Sequence, residues 1–291
     1  MLAGAVIAIM LVLSWQVRVD PSGTASIDLL VAAFLLVSRI WWQRHEHKRI
    51  ADAFGAVALV LIGGMACGGI AMLGLRLHFP LADGMLRSFD QALRTDGIAI
   101  VDALLRQGQW LFTILAFVYN LTIPAFVIGL IVLAVRGERL EAWRAAFCFV
   151  GTLLTTCLIA MLVPAKGLGV WAPAELIARL PQRSMRNFWP HFDEFYSSVD
   201  PVLRLEVIDG VVSFPSFHAI VGFLTFAMWR KSLATAVPAA AWLAFLLLAT
   251  FPYGGHYLVD LLGGFAVWAG WFIWSRRIEL ESEPLLAPAR A

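Results

Sequence analysis

The chain has 291 residues, 60% of them apolar and only 14% charged, with a formal net charge of +2. Soluble domains carry roughly 25% charged residues, so this composition excludes an ordinary water-soluble globule and describes a polytopic membrane protein. The near-neutral balance names no partner by itself, and no nucleic-acid partner is expected. The positions of the charges say more.

Eight apolar runs recur, most of them near the ~20 residues that a helix needs to cross a ~30 Å hydrocarbon core. They are Leu2–Val17, Ile27–Trp42, Ala53–Leu75, Trp110–Val135, Ala145–Val163, Phe217–Trp229, Leu233–Phe251 and Tyr257–Trp274. The first lacks the basic start and small-residue cleavage site of a signal peptide, so it reads as a retained span. The sixth is short, which predicts either an extension upstream of His218 or a tilted helix. The fold expected is an all-α membrane helix bundle of about eight transmembrane helices. Residues 1–50 form N-terminal membrane helices, 51–275 the main membrane domain and 276–291 a cytoplasmic tail. Cys67, Cys148 and Cys157 all fall inside apolar runs, which reads as packing and not as a disulfide or metal framework.

Four basic clusters punctuate the runs: Arg44, Lys48 and Arg49; Arg136, Arg139 and Arg144; Arg230-Lys231; and Arg276-Arg277. Eight alternating spans put all four on one side, which the positive-inside rule makes cytoplasmic. Both termini then face the cytoplasm, and the long loops look outward. A bacterial inner membrane with its periplasm fits, as would a cell exterior or an organelle lumen.

The first outer segment, from Arg76 to Gln109, carries Leu81, Met85, Leu86, Phe89 and Leu93, then Ile100, Val101, Leu104 and Leu105, at helical spacing. Arg87, Asp90, Arg94, Asp96, Asp102 and Arg106 oppose them, and Asp96-Gly97 marks a break between two amphipathic interfacial helices. These read as a structural collar. The second outer segment, Pro164 to Val212, holds Lys166, Arg179, Arg183, Arg186 and Arg204 among acidic and aromatic residues. These cations either grip a phosphate by charge-assisted hydrogen bonds or pair with local acids and lipid headgroups.

Two polar islands carry the chemistry. In Ser213-Phe214-Pro215-Ser216-Phe217-His218-Ala219, Pro215 suits the first turn of a helix. The free N–H groups of Ser216, Phe217 and His218 would then form an anion site on the helix dipole, with the Ser216 hydroxyl as a further donor. His218 is placed to protonate a departing oxygen. In Gly254-Gly255-His256-Tyr257-Leu258-Val259-Asp260, His256 and Asp260 stand four apart on one helix face. A carboxylate inside an apolar span needs a partner. Asp260 would accept one ring N–H, fixing the tautomer and leaving the other nitrogen of His256 free to attack. Gly254 and Gly255 allow a tight turn and close backbone approach. An H-x-x-x-D pair can also hold a metal, but no third strong ligand appears beyond His218, so neither a metal nor another cofactor is expected.

Pro215-Ser216-Phe217-His218 followed by His256-x-x-x-Asp260 resembles the type-2 phosphatidic acid phosphatase superfamily, and the fuller strings are closest to its inositol-phosphorylceramide-synthase-like branch. The resemblance covers Val163 to Trp274 strongly and the Pro80–Asp90 collar and the Tyr119 span more loosely. It implies a metal-independent six-helix catalytic core working through a phosphohistidine: His256 the nucleophile, Asp260 its orienting carboxylate, His218 the acid. The implied partners are membrane lipids, a phosphorylated lipid substrate and an alcohol or lipid acceptor. Ser216, Phe217, Gly255, Lys166, Arg179, Arg183, Arg186 and Arg204 are the candidate phosphate-binding residues. Phe217 replaces the superfamily's usual glycine, Ala249-Thr250 stands where Ser-Arg is usual, and Arg179 and Arg186 have the spacing of the Lys-x6-Arg-Pro motif without its proline. The sequence leaves hydrolysis and headgroup transfer both open. A proton-relay lipid transporter or a non-catalytic scaffold is the alternative of another class, although no inverted repeat is visible.

Overall fold

The structure, a computed structural model, describes residues 17–20, 25–182, 184–204 and 211–286. The first predicted span, all but its last residue Val17, and Arg183 lie outside the described residues, and for Arg204 only the backbone is described. Twelve α-helices follow in order: α1 (Ala25–Arg44), α2 (Lys48–Gly74), α3 (Asp83–Ala92), α4 (Gly97–Arg106), α5 (Gln109–Asn120), α6 (Thr122–Val135), α7 (Arg139–Leu162), α8 (Ala174–Arg179), α9 (Trp189–Ser197), α10 (Phe217–Trp229), α11 (Leu233–Ala249) and α12 (Leu258–Leu286). Three-residue strands β1 (Arg18–Asp20) and β2 (Val202–Arg204) pair in parallel. All seven of the predicted spans that fall on described residues are helical.

Among the described residues, four helical stretches are long and apolar enough to cross a membrane: Lys48–Leu77, Arg139–Leu162, Leu233–Gly254 and Leu258–Arg277. The predicted span Trp110–Val135 is the bent pair α5–α6, turning by 48°, and counts as a fifth. Its cause is local. Pro124, in the first turn of α6, has no N–H to return to the Asn120 carbonyl, so the ladder breaks at Leu121.

Helix α10 is the centre of the bundle. It packs on α6, α7, α11 and α12, and its Ala219, Ile220, Val221, Gly222 and Leu224 are all buried. Thirteen residues give about 20 Å of helix, short of a full crossing, but a helix enclosed by others does not have to match the bilayer. It does not extend upstream of Phe217. Around it, Phe126 of α6 stacks on Phe149 of α7 at 5.0 Å, joined by Leu130, Ala146 and Ile220 in one apolar core.

Ion pairs gather the basic turns at one end of the bundle. Arg139 meets Asp52 at 3.0 Å, Trp143 donates to the same carboxylate at 2.9 Å, and Lys231 pairs with Glu138. The α1–α2, α6–α7 and α10–α11 turns therefore sit together, as the sequence pattern requires. The collar and the Pro164–Val212 segment close the other end.

The collar helix α3 is amphipathic in an unexpected sense. Met85, Phe89 and Leu93 are about half exposed, whereas Asp83 and Asp90 are buried. This corrects the expectation that the apolar face is the buried one, with Asp90 opposite it. The reason is what lies beneath: backbone N–H groups of other segments that need acceptors, against which carboxylates are better partners than alkyl groups.

Candidate active site

The second island is built by a break between two helices. After α11, a single π-helical turn, Thr250–Gly254, ends at Gly255, whose φ is +64°. A Cβ at Gly255 would lie 2.9 Å from the Met185 carbonyl oxygen, so both conformation and space demand glycine. The Gly255 N–H returns to the Thr250 carbonyl, and its own carbonyl accepts from Leu168 N–H at 2.6 Å. Gly255 thus fixes the turn, with its N–H already paired.

His256 follows, 3% exposed, and Asp260 is fully buried. The His256 Nδ1 lies 3.1 Å from Asp260 Oδ2. That oxygen also accepts from the Tyr257 N–H at 3.0 Å and the Ser213 hydroxyl at 3.0 Å. An acceptor so placed puts the neutral ring's proton on Nδ1 and leaves the Nε2 lone pair open. Asp260 Oδ1 is buried without a partner. Ser213 opens the first island, but its sequence context gave no role to it; the structure uses it to tie the two islands together. A backbone bond from Ser216 N–H to the Asp260 carbonyl, 2.9 Å, does the same.

The first island corrects one expectation. Pro215 does not open α10; it precedes Ser216, which is the N-cap, its Oγ accepting from Ala219 N–H at 3.4 Å. The Ser216 N–H is already committed to Asp260. The N–H groups of Phe217 and His218, at the start of the helix dipole, have no hydrogen-bond partner among the described residues. The His218 ring stacks on Tyr119 of α5 with centroids 4.0 Å apart and planes 15° apart.

His218 and His256 border one cavity of about 1020 Å³, with Tyr119, Tyr253 and Gly254 around them. A Cβ at Gly254 would lie 2.8 Å from His256 Nε2 and 3.1 Å from the Tyr119 hydroxyl, so this glycine keeps open the gap in front of the nitrogen. From there the cavity runs between helices. On α2 it is lined from Val57 to Ala71, about 21 Å of helix, longer than the ~15 Å half-thickness of a bilayer core. Apolar residues of α1, α6 and α7 complete its walls.

The three predicted cations with described side chains, Lys166, Arg179 and Arg186, do not line this cavity. Lys166 is held by both oxygens of Asp193, at 2.7 and 2.9 Å, and lies over Trp189. Arg179 pairs with Asp102 at 3.1 Å, and Arg106 on the same carboxylate holds it below the ordinary aspartate range. Arg186 donates to the Gly169 carbonyl at 2.9 Å and also covers Trp189, with its Nε buried and unpaired. Among the described residues of that segment, Gln182 and Asn187 are polar groups that line the cavity.

The collar supports the site with carboxylates. Asp90 receives the Leu258 and Val259 N–H groups at 2.8 and 2.9 Å, capping α12 two residues beyond the candidate nucleophile. Asp83 receives Gly167 N–H (2.8 Å), Lys166 N–H (3.0 Å) and the Tyr257 hydroxyl (3.1 Å). The Tyr257 hydroxyl accepts from the Trp171 indole N–H at 2.8 Å, so its own proton is free to go to Asp83. The available sequence signal was the repeat of Asp83, Leu86 and Asp90 on one face. Among the described residues, no three His, Cys, Asp or Glu side chains converge as a metal site would need.

Fold and site together define an integral-membrane helix bundle with a buried histidine–aspartate pair at one end and a second histidine across a shared cavity. The chain matches the PAP2 superfamily over residues 84–274 and belongs to that superfamily. Membership points to a phosphatase-type enzyme acting on lipid phosphates. Comparison with curated proteins and with solved structures finds no match.

Proposed function

We propose that the protein cleaves a phosphorylated lipid through a phosphohistidine on His256. The observation that carries this reading is the His256–Asp260 pair: buried, 3.1 Å apart, and bordering the cavity that also holds His218. Nε2 attacks phosphorus and forms the P–N bond as the P–O bond to the lipid breaks. His218 gives its proton to the leaving oxygen, and Asp260 stabilises the imidazolium-like charge that develops on His256. In the second half His218 takes a proton from the acceptor, whose oxygen displaces His256. The unpaired N–H groups of Phe217 and His218 supply fixed donors to the phosphoryl oxygens. None of these steps uses a metal.

Transfer to a lipid alcohol is the second reading. The burial of His256 and the size of the cavity favour it, since a space that admits a lipid substrate between helices also has room for a lipid acceptor. By the positive-inside rule, the basic end faces the cytoplasm and the catalytic end faces outward, which in a bacterial inner membrane means the periplasm.

The test is phosphate release, or headgroup transfer to an added lipid alcohol, by purified protein offered lipid phosphates and isoprenoid pyrophosphates, with and without chelator. Activity insensitive to chelation, lost in His256→Ala, and an acid-labile phosphoryl adduct on His256 are expected. Full rates in His218→Ala, His256→Ala and Asp260→Asn alike would sink the mechanism.

A further inference from the structure

At the end of the bundle opposite the histidines, a second cavity of about 190 Å³ opens between α7, α10 and α12. It is lined by four cations, Arg144, Arg230, Lys231 and Arg276, by one carboxylate, Glu141, and by apolar side chains that include Leu133, Cys148, Leu224 and Met228. Two carboxylates answer these charges: Glu141 meets Arg144 at 3.0 Å, and Glu138 pairs with Lys231. Arg230 and Arg276 have no carboxylate partner among the described residues. Both guanidinium groups lie over the Phe272 ring, 5.3 and 4.9 Å from its centroid. One aromatic ring therefore holds two like charges together, next to a hole.

The topology rule accounts for basic residues near these helix ends, but it asks only for charge in the loops. It gives no reason for cations from three separate helices to converge on one cavity, nor for that cavity to have apolar side chains in its lining. A group with doubly exposed anionic oxygens and an apolar body gives both reasons. Guanidinium forks match phosphate oxygens, and basic pockets between transmembrane helices at a membrane face suit anionic headgroups.

We infer that this cavity binds the phosphate of an anionic phospholipid from the leaflet at the basic end, joining α7, α10 and α12 through a lipid that is not the substrate. Arg230 and Arg276 clamp the phosphate, and the first carbons of the chains cover Leu224 and Met228. The inference is independent of the chemistry at His256.

The experiment uses full-length, delipidated protein in neutral detergent micelles and reads its apparent melting temperature. Three additions are compared: phosphatidylglycerol, phosphatidylcholine and inorganic phosphate. Phosphatidylglycerol is expected to raise the midpoint by about 5 °C, the size given by a ligand near a hundred times its dissociation constant. Phosphatidylcholine should do little. The shift should vanish in Arg230→Gln/Arg276→Gln and persist in His256→Ala, which separates this cavity from the catalytic one. An equal shift with inorganic phosphate, lost in the same double variant, overturns the lipid and assigns the cavity to a soluble anion. No shift with either, or a shift that survives the double variant, overturns the inference. If the double variant does not purify, the single Arg230→Gln, at an exposed helix end, serves instead. Native mass spectrometry of the wild type, expected to retain an anionic phospholipid, then gives the second readout, and its absence counts against the site.

Discussion

Replacing Asp90 by alanine tests whether the collar holds the catalytic helix. Asp90 is 3% exposed and takes two N–H groups of the first turn of α12, at 2.8 and 2.9 Å. Loss of a helix cap costs about 0.5–2 kcal/mol, and each buried donor left unpaired costs about 1–3 kcal/mol. Because the two N–H groups sit side by side and are only partly buried, we expect ~2–4 kcal/mol in total. For a chain of this size that is a fall of roughly 5–10 °C in apparent melting temperature. The effect on rate should be separate and larger. His256 precedes Leu258 by two residues, and a displacement of ~1 Å in a reacting group can cost about a hundredfold. Turnover of a lipid phosphate is therefore expected to fall by about 10–100-fold with little change in KM. Asp90→Asn keeps one acceptor and should lie between. Asp96→Ala is the control: it removes an equivalent cap, accepting Ile98 N–H and Ala99 N–H at 3.0 and 3.2 Å, but on α4. It should lose about 1 kcal/mol and no turnover. Equal behaviour of the Asp90 and Asp96 variants, or full turnover in Asp90→Ala, would refute the reasoning.

Three further outcomes are expected. Gly254→Ala places a methyl 2.4 Å from the His256 Cδ2, so the ring must move; turnover should drop about a hundredfold while the melting temperature holds, and a wild-type rate would show that the gap before Nε2 is not used. Gly64 borders the large cavity, and a Cβ there meets nothing within 4 Å; Gly64→Phe should penalise long-chain lipid phosphates by roughly 5–150-fold relative to short ones, the range of a ~1–3 kcal/mol overpacking cost. Uniform loss across chain lengths would exclude a tail-binding role. Lys231 holds the Glu138 carboxyl below its usual range, with Arg136 adding to the effect. Its contribution to stability is therefore present above the ordinary glutamate value of ~4.3 and is lost as pH falls through the lowered folded value. Melting curves of wild type and Glu138→Gln should differ at neutral pH and converge in acid; a gap that persists in acid would mean the pair is not the cause.

Most of the transmembrane frame was legible because lipid imposes a simple pattern: long apolar runs with polar ends. The two islands were legible for a related reason, since His218, His256 and Asp260 are expensive where they stand. The residues that hold these groups in place left a weaker trace. Ser213 is one hydroxyl in a loop, and Tyr119 is an aromatic in an apolar span, where neither is costly. Asp90 was read on the polar face because helical periodicity assumes that a helix buries its apolar face, whereas α3 turns Met85 and Phe89 outward, Asp90 toward the N-terminus of α12 and Asp83 toward the Lys166–Gly167 backbone. Period alone does not say what covers a face. The α10 boundary shifted by two residues from the proline for a comparable reason: Ser216 competes for the cap position and wins it through the Ala219 N–H.

The route to His256 has a kinetic corollary. Its cavity is walled by membrane helices over about 21 Å and reaches as far as Asp28 and Val31 of α1. On the proposed function, a lipid substrate that enters between these helices comes from the plane of the bilayer. The rate is then set by the number of substrate molecules per unit membrane area. Adding inert lipid at constant total substrate should slow turnover in proportion, and concentrating substrate into a domain of the membrane should speed it with no change in the enzyme.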